Sequence, residues 1–229
     1  MDRLTGVAEL LDGPLDDPAA LVANLRDLAR LNRVSGGIGL SRRAVAALGD
    51  PATILDVGTG GADIPIALLV AAAHEGRRLA VTATDSRPEV LAAARVARPA
   101  IDRIAGLALE IADGRGLPYP DAAFDVAHAS LVIHHLEPDE VVAFLRELRR
   151  VARTGIVVND LVRGRLAWLG TWLVVRTLAT GRYTRHDGPL SVRRAYGRAE
   201  LLELLGVAGL RPVATIVGFA GHRVAIAAR

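Results

Sequence analysis

The segment ILDVGTGGADIP, residues 54–65, joins a buried strand to a helix through a glycine turn, and it constrains the fold more than any other part of the chain. Ile54, Leu55 and Val57 supply the apolar run of a strand, while Gly58 and Gly60 give the turn its backbone freedom. Such a junction presents bare main chain and a helix N-terminus to a ligand. The charges around the turn narrow the choice of ligand. A diphosphate-binding turn needs glycine at the third position of G-x-G-x-x-G, so that the phosphates can approach. Here that position is Asp63, and Asp56 precedes the turn. Two carboxylates repel a diphosphate. They suit a ligand that carries an ammonium and a sulfonium.

From residue 53 onward strands and helices alternate. Strands are expected near 53–57, 79–84, 107–111, 124–129 and 154–158, with helices near 63–74, 87–97 and 138–150. This order calls for a parallel sheet with helices on both faces. Gly76 and Pro99 stand where two of the helices should end. Two further strands near 211–217 and 222–227 bring the sheet to seven. Before the first strand, residues 18–48 read as helical, with Leu21, Leu25, Leu28 and Leu31 in helical spacing and a break at Ser35-Gly36-Gly37. Residues 161–181 read as an apolar helix, 182–191 as a polar loop and 192–208 as another helix. The expected architecture is one α/β domain over residues 1–229, with a Rossmann-like, seven-stranded, mostly parallel sheet. A helical cap (1–50) and a helical lid insert (160–197) would cover the C-terminal sheet edge, where open α/β sheets bind ligands.

Composition removes several alternatives. The chain has no cysteine, so it has no disulfide, thiolate zinc site or thiol nucleophile. All 28 basic residues are arginine and 25 acidic residues offset them, leaving a net charge of +3. This balance reads as compositional bias rather than a nucleic-acid footprint. Residues 1–20 carry four Asp and one Glu and do not resemble a signal peptide. The apolar run Leu166–Val175 is too short to span a bilayer, so a cytoplasmic location is expected.

The acidic residues fall in a meaningful order. Asp85 ends the second strand, where a carboxylate can accept hydrogen bonds from both hydroxyls of a ribose. Asp113-Gly114 follows the third strand, where a carboxylate can accept from an adenine amino group. The fourth strand emerges at Ser130 and leads to His134 and His135. Each strand-end Asp taken alone is equally a helix cap.

On the segments DVGTGGA (56–62), TATDS (82–86), ADGRGLPYPDAAFDVAHASLVIHHL (112–136) and VVND (157–160), the chain resembles class I S-adenosylmethionine-dependent methyltransferases over residues 53–159. Within that group it is most similar to the branch related to ubiquinone- and menaquinone-biosynthesis methyltransferases and small-molecule O-methyltransferases. Ala62 stands where that family usually has its last loop glycine, and RTGIVVND replaces the frequent K-P-G-G turn. The resemblance implies S-adenosyl-L-methionine as cofactor. It implies Asp56, Gly58, Gly60 and Gly61 on the methionine side, Asp85 at the ribose, and Ser86 near the adenine. Asp113 and Gly114 would meet the adenine amino group, and the backbone around Ser130 would lie beneath the methionine ammonium. Arg33, beside Gly36-Gly37, is either a fork for the cofactor carboxylate or a surface arginine.

The same resemblance implies methyl transfer to a small hydrophobic or aromatic substrate, with a phenolic or quinol-like oxygen ahead of a ring carbon. RNA or protein methylation and a non-catalytic cofactor-binding role are the alternatives. Aromatic content of 3% and the absence of an accessory RNA-binding segment stand against nucleic acid. A phenolic proton has a pKa of about 10, so a nearby base helps. His134, His135 and His186, the last beside Asp187, are the candidates, each with a capping or polar strand-end role as its alternative. His128 reads as a satisfied sheet histidine, and His74 and His222 lack supporting context. Asn159-Asp160 suggests oxygen ligands, but the fourth strand offers Ser130 instead of a carboxylate, so no metal site is expected. Asp160 reads as a substrate-side acceptor or a helix cap.

Leu166, Trp168, Leu169, Trp172, Leu173 and Val175 would make a helix apolar nearly all round. It is either a roof for an aromatic or prenylated substrate or a buried helix or dimer face. Arg163, Arg165, Arg176, Arg182 and Arg185 flank it, as a solvated face or as attraction for an anionic substrate or a membrane periphery. Monomer and homodimer both remain open.

Overall fold

The computed structural model describes residues 1–229. Two helices, α1 (Pro18–Val34) and α2 (Gly37–Ala46), precede the sheet. Then follow β1 (Thr53–Val57), α3 (Asp63–His74), β2 (Ala80–Asp85), α4 (Pro88–Ala97), β3 (Leu107–Ile111) and β4 (Phe124–Ser130). The rest of the chain forms α5 (Pro138–Val151), β5 (Ala152–Leu161), α6 (Arg165–Leu178), α7 (Arg182–Arg194), α8 (Arg198–Val207), β6 (Pro212–Val217) and β7 (Arg223–Ala228).

The seven strands lie in the order β3-β2-β1-β4-β5-β7-β6. β1 to β5 run parallel, and β7 is antiparallel to both β5 and β6. The order reverses between β1 and β4, which opens a crevice beyond their C-terminal ends. Three apolar clusters clothe the sheet. Leu55, Val57 and Ile156 pack with Phe144 and Leu148 of α5 and Leu205 of α8. Leu40 and Ala44 of α2 and Leu68 of α3 cover Ile54, Val126 and Val157. Leu21 and Leu25 of α1 meet Ala93 of α4, Ala83 of β2 and Tyr183 of α7. Each fully buried Leu or Phe contributes about 1.5–3 kcal/mol.

Local signals explain where several elements begin. Asp17 accepts from the Ala20 amide at the start of α1, with Pro18 in its first turn. Glu140 accepts from the Glu137 amide at 2.9 Å ahead of α5, again with proline in the first turn. Val141, Phe144, Leu145, Leu148 and Val151 then give α5 its buried stripe. The break between α1 and α2 falls at Ser35–Gly36, where Gly36 has φ 78°.

The region after β5 departs from the sequence expectation. Residues 182–191 form the body of α7 instead of a polar loop, even with Pro189 inside the helix. Remote partners make this possible. Asp27, buried on α1, accepts from the amides of Thr180 and Gly181 at 2.9 and 2.7 Å and so fixes the start of α7. Thr184 accepts from Asn24, and Ser191 donates to Glu9, so the polar residues of α7 are satisfied from other elements. Gly188 brings α7 against Val175 of α6, where a Cβ would lie 2.9 Å away. The expected helix over 192–208 is split at Ala195–Gly197, where α8 starts afresh. β5 runs on to Leu161 because β4 and β7 pair with it on both sides. α6 is not a buried helix: Ala167 and Val175 are buried, while Leu166, Leu169 and Leu173 are exposed. No helix is long and apolar enough to cross a membrane.

Candidate active site

The glycine turn takes the shape its sequence requires. Gly58 and Gly60 have φ of 73° and 54°. A Cβ on Gly58 would lie 2.5 Å from Cγ2 of Val132, so only glycine fits there. Ala62, where a glycine is usual, also has φ 53° and is fully buried. A left-handed alanine costs about 1–2 kcal/mol, and its methyl recovers part of this by packing in the cluster beneath α1. Leu25 of α1 lies over Gly60 and Gly61.

Around the turn stand the strand-end carboxylates. Oδ2 of Asp85 accepts from the Gly60 amide at 3.2 Å and Oδ1 from the Arg87 amide at 3.1 Å. Burial raises its pKa, against the pull of those two amides. Burial likewise raises Asp63, although Asn32 donates to it at 3.0 Å. Asp56 is buried, with Oδ1 2.5 Å from Nδ1 of His128, and Nε2 of His128 lies 2.7 Å from Oγ of Ser41. His128 is therefore the satisfied sheet histidine its sequence position suggests. Asp113 pairs with Arg115 at 2.7 Å, and Ser86 is exposed. At Gly114 a Cβ would meet the Phe144 ring at 2.5 Å, so this glycine also lets the loop pack on α5. The fold thus brings Asp56, Gly58, Gly60, Gly61, Asp85, Ser86, Asp113 and Gly114 to the C-terminal ends of β1, β2 and β3. Ser130 ends β4 alongside.

Arg33 does not join them; it is exposed on the last turn of α1. The arginine beside Gly37 is Arg223 of β7, which sequence reasoning passed over. Its Nε donates to Asn159 at 2.7 Å, Nη1 to Asn32 at 2.6 Å and Nη2 to Ser130 at 2.7 Å. Complete burial lowers its pKa to about 10. A charge opening the apolar strand RVAIAA was the available signal, but it also reads as an ordinary strand end. Asn159 is spent on this hub and on Gly37 and Ser41, to which its Nδ2 donates.

A cavity of about 420 Å³ lies between α1, α6, α7 and the ends of β5 and β7. Leu28, Leu31, Leu166 and Val174 supply much of its apolar wall, and Arg223 reaches it from β7. Leu131 lines it in a left-handed conformation, φ 59°, a strained state for a bulky residue. His134 and His135 also line it, from the short 3-10 turn Ile133–His135. His186 does not. It is half exposed, with Nδ1 2.7 Å from Asp187, whose carboxylate accepts from the Leu10 and Leu11 amides.

His134 is buried, and its Nδ1 lies 2.7 Å from Oδ1 of Asp160. Asp160 also accepts from the amides of Ile133, His134 and Leu161 at 2.8, 3.3 and 2.7 Å. Burial pushes its pKa up, but His134 and the amide bonds outweigh burial and hold it below the ordinary carboxylate range. His135 has its Nδ1 2.8 Å from Asp12. Between the two rings sits Glu9, a residue the sequence did not single out. Burial raises its carboxyl to about 7, against the opposing charge of His135. Ser191 donates to it at 2.9 Å. Nothing local marks Glu9; it reaches the cavity only because α7 ties down the N-terminal segment.

Residues 54–155 match the family described as Methyltransferase domain. Those residues carry a methyltransferase domain. The methyltransferase superposes on a SAM-dependent methyltransferase from Aquifex aeolicus with TM-score 0.63 and 20% identity, over 93% of this chain and 97% of that one. It also superposes on an O-methyltransferase from neocarzinostatin biosynthesis, solved with S-adenosyl-L-homocysteine and 1,4-dihydroxy-2-naphthoic acid. There the TM-score is 0.69 at 21% identity, over 96% of this chain and 61% of that one. Human N-acetylserotonin methyltransferase, solved with SAM, gives TM-score 0.66 at 16% identity, over 96% and 60%. The methyltransferase therefore spans about three fifths of the length of the last two. No curated protein matches its sequence.

Proposed function

We propose that this methyltransferase methylates the hydroxyl of a small, largely apolar aromatic acceptor, phenolic or quinol-like, held in the cavity beneath α6 and α7. The observation that carries this reading is the contrast within the cavity. Its wall is mostly apolar, and the Glu9–His134–His135 corner presents a buried imidazole held by a buried aspartate. Apolar walls with a few convergent polar groups suit a ring that carries a hydroxyl. The neighbour solved with 1,4-dihydroxy-2-naphthoic acid holds an aromatic compound of this kind.

The cofactor loop fits S-adenosylmethionine. Oγ1 of Thr59 is buried in the turn without a partner, and the carboxylates around it suit a cationic ligand. Asp85 would hold the ribose, Ser86, Asp113 and Gly114 the adenine, and Asp56, Gly58, Gly60 and Gly61 the methionine side. Arg223 uses three N–H groups on Asn159, Asn32 and Ser130. Its remaining donors make it a better candidate than Arg33 for the cofactor carboxylate.

When bound, S-adenosylmethionine supplies a methyl group already activated on a sulfonium. The protein has to orient the acceptor, exclude water and remove the hydroxyl proton. α6 and α7 would exclude water, and the polar corner of Glu9, His134 and His135 would promote loss of the hydroxyl proton.

The test is incubation with labelled S-adenosylmethionine and a panel of phenols, quinols and lipidic resorcinols, with products assigned by mass spectrometry. O-methyl products are expected, and His134→Ala should lose them while still binding cofactor in calorimetry. Products methylated only on ring carbon would overturn the proposal.

A further inference from the structure

The same polar corner has the geometry of a cation site. Nε2 of His134 lies 3.8 Å from Oε1 of Glu9, and Nε2 of His135 lies 3.9 Å from Oε2. One ligand atom from each of the three residues lies within 4.8 Å of the other two. The Glu9 contacts are too long for hydrogen bonds, so each ring turns its second nitrogen toward the carboxylate without bonding to it. The opposite edge of each ring is anchored. Nδ1 of His134 is 2.7 Å from Asp160, and Nδ1 of His135 is 2.8 Å from Asp12. A carboxylate on Nδ1 fixes the N–H there and leaves the Nε2 lone pair free, the arrangement found behind histidines that bind metal ions.

The surrounding charge agrees. Glu9, Asp12, Asp160 and Asp187 place four carboxylates around the corner. Arg194, 3.7 Å from Glu9 and 2.5 Å from Asp12, and the more distant Arg223 are the cations that face them.

We propose that Glu9, His134 and His135 bind a divalent transition-metal ion through one carboxylate oxygen and two Nε2 atoms, leaving a coordination position open to the cavity. Two histidines and one carboxylate with an open position suit catalytic zinc and non-haem iron(II). Bonds of 2.0–2.1 Å in a tetrahedral site put ligand atoms about 3.3 Å apart, so the two Glu9 contacts need to close by about 0.5 Å and the widest pair of ligand atoms by at most about 1.5 Å. The sequence expectation of no metal weighed oxygen ligands at the ends of the fourth and fifth strands. These ligands come instead from the N-terminal segment and the turn after β4.

The open position gives the site a role in the proposed reaction, and that role alone rests on the phenolic reading. A hydroxyl bound to the cation loses its proton to solvent more readily, leaving the oxygen as a phenolate for methylation. The oxygen then gains the carbon and the sulfonium becomes a thioether.

The test uses the full chain, stripped with a chelator and titrated with Co²⁺. One equivalent should bind with visible d–d absorption, and Zn²⁺ should displace it. Glu9→Gln and His135→Gln should abolish that absorption while keeping the wild-type circular dichroism, and His74→Ala should retain it. Asp12→Asn should weaken binding by roughly 10-fold or more. Failure of the wild type to bind one equivalent, or retention of binding in folded Glu9→Gln and His135→Gln, would overturn the site. The cobalt spectrum needs no acceptor. Phenol methylation without the spectrum removes the metal site and keeps the acceptor reading; the spectrum without phenol methylation does the reverse.

Discussion

Oδ1 of Asp160 lies 2.7 Å from Nδ1 of His134, and the same buried carboxylate accepts main-chain bonds from Ile133, His134 and Leu161. One side chain thus sets both the path of the turn after β4 and the orientation of the ring that faces the cavity. Asp160→Asn keeps the volume but removes the charge. It should lower kcat for a phenolic acceptor by about 100-fold while S-adenosylmethionine affinity stays within about threefold. Steady-state kinetics beside calorimetry checks this; equal losses in both would make Asp160 merely structural.

Asp85 links the end of β2 to the glycine turn through the Gly60 amide. Hydrogen bonds to a charged group contribute about 1.5–3 kcal/mol each, so Asp85→Ala should weaken S-adenosylmethionine binding by at least about 10-fold. Calorimetric titration reads the change. Wild-type affinity in a folded variant would move the ribose contact elsewhere.

Arg223 is the most heavily bonded buried cation of the site, holding Asn32, Asn159 and Ser130 together. Arg223→Met leaves those polar atoms buried without their donor and should cost about 3 kcal/mol in urea unfolding. Arg33→Met, on an exposed turn, should change stability by less than about 0.5 kcal/mol. Equal effects at the two positions would contradict the hub.

Ala62 combines a left-handed backbone with complete burial. Ala62→Val adds a β-branch in a conformation that disfavours it and overfills the site, so about 2–3 kcal/mol should be lost. Ala62→Gly relieves the backbone but loosens the unfolded chain and gives up a buried methyl, for a net change within about 1 kcal/mol. Thermal unfolding of the two variants should separate them clearly.

Asp125 binds Arg153 at 2.6 Å and accepts from the Ala52 and Thr53 amides at the start of β1. Arg153 holds its pKa below the ordinary value, aided by those amides and opposed by partial burial. A carboxyl lowered in the folded state stabilises fully above its unfolded value of about 3.9, and that contribution fades as pH falls through the lower folded value. The stability gap between wild type and Asp125→Asn should therefore be widest near neutral pH and shrink as pH falls below the unfolded value of about 3.9. A gap that stays constant on acidification would refute the assignment.

The strands and the glycine turn were legible because their signals are local. Ile54 to Val57 and the Gly58–Gly60 turn declare themselves in a few residues, and Asp85 and Asp113 follow at the ends of β2 and β3 in chain order. α7 was misread because its helix rests on distant partners: Asp27 beneath Gly181, Asn24 beside Thr184 and Val175 against Gly188. A segment containing Gly188-Pro189 has poor helical propensity by itself, and packing overrides it.

The choice of arginine shows the same division. Arg33 lies close to Gly36-Gly37 in sequence, and Arg223 lies there in space, because antiparallel pairing of β7 with β5 sets Arg223 opposite Leu161. Glu9 is a stronger case, since its neighbours along the chain give no hint that His134, His135 and Ser191 surround it. The sequence by itself determined the sheet and the glycine turn, because strand patterning and turn conformation depend on residues a few positions apart, and its family resemblance implied the methyl donor. Only the tertiary structure decided the cavity, its polar corner and the buried arginine. Those depend on burial and charge between segments that meet after the sheet has closed.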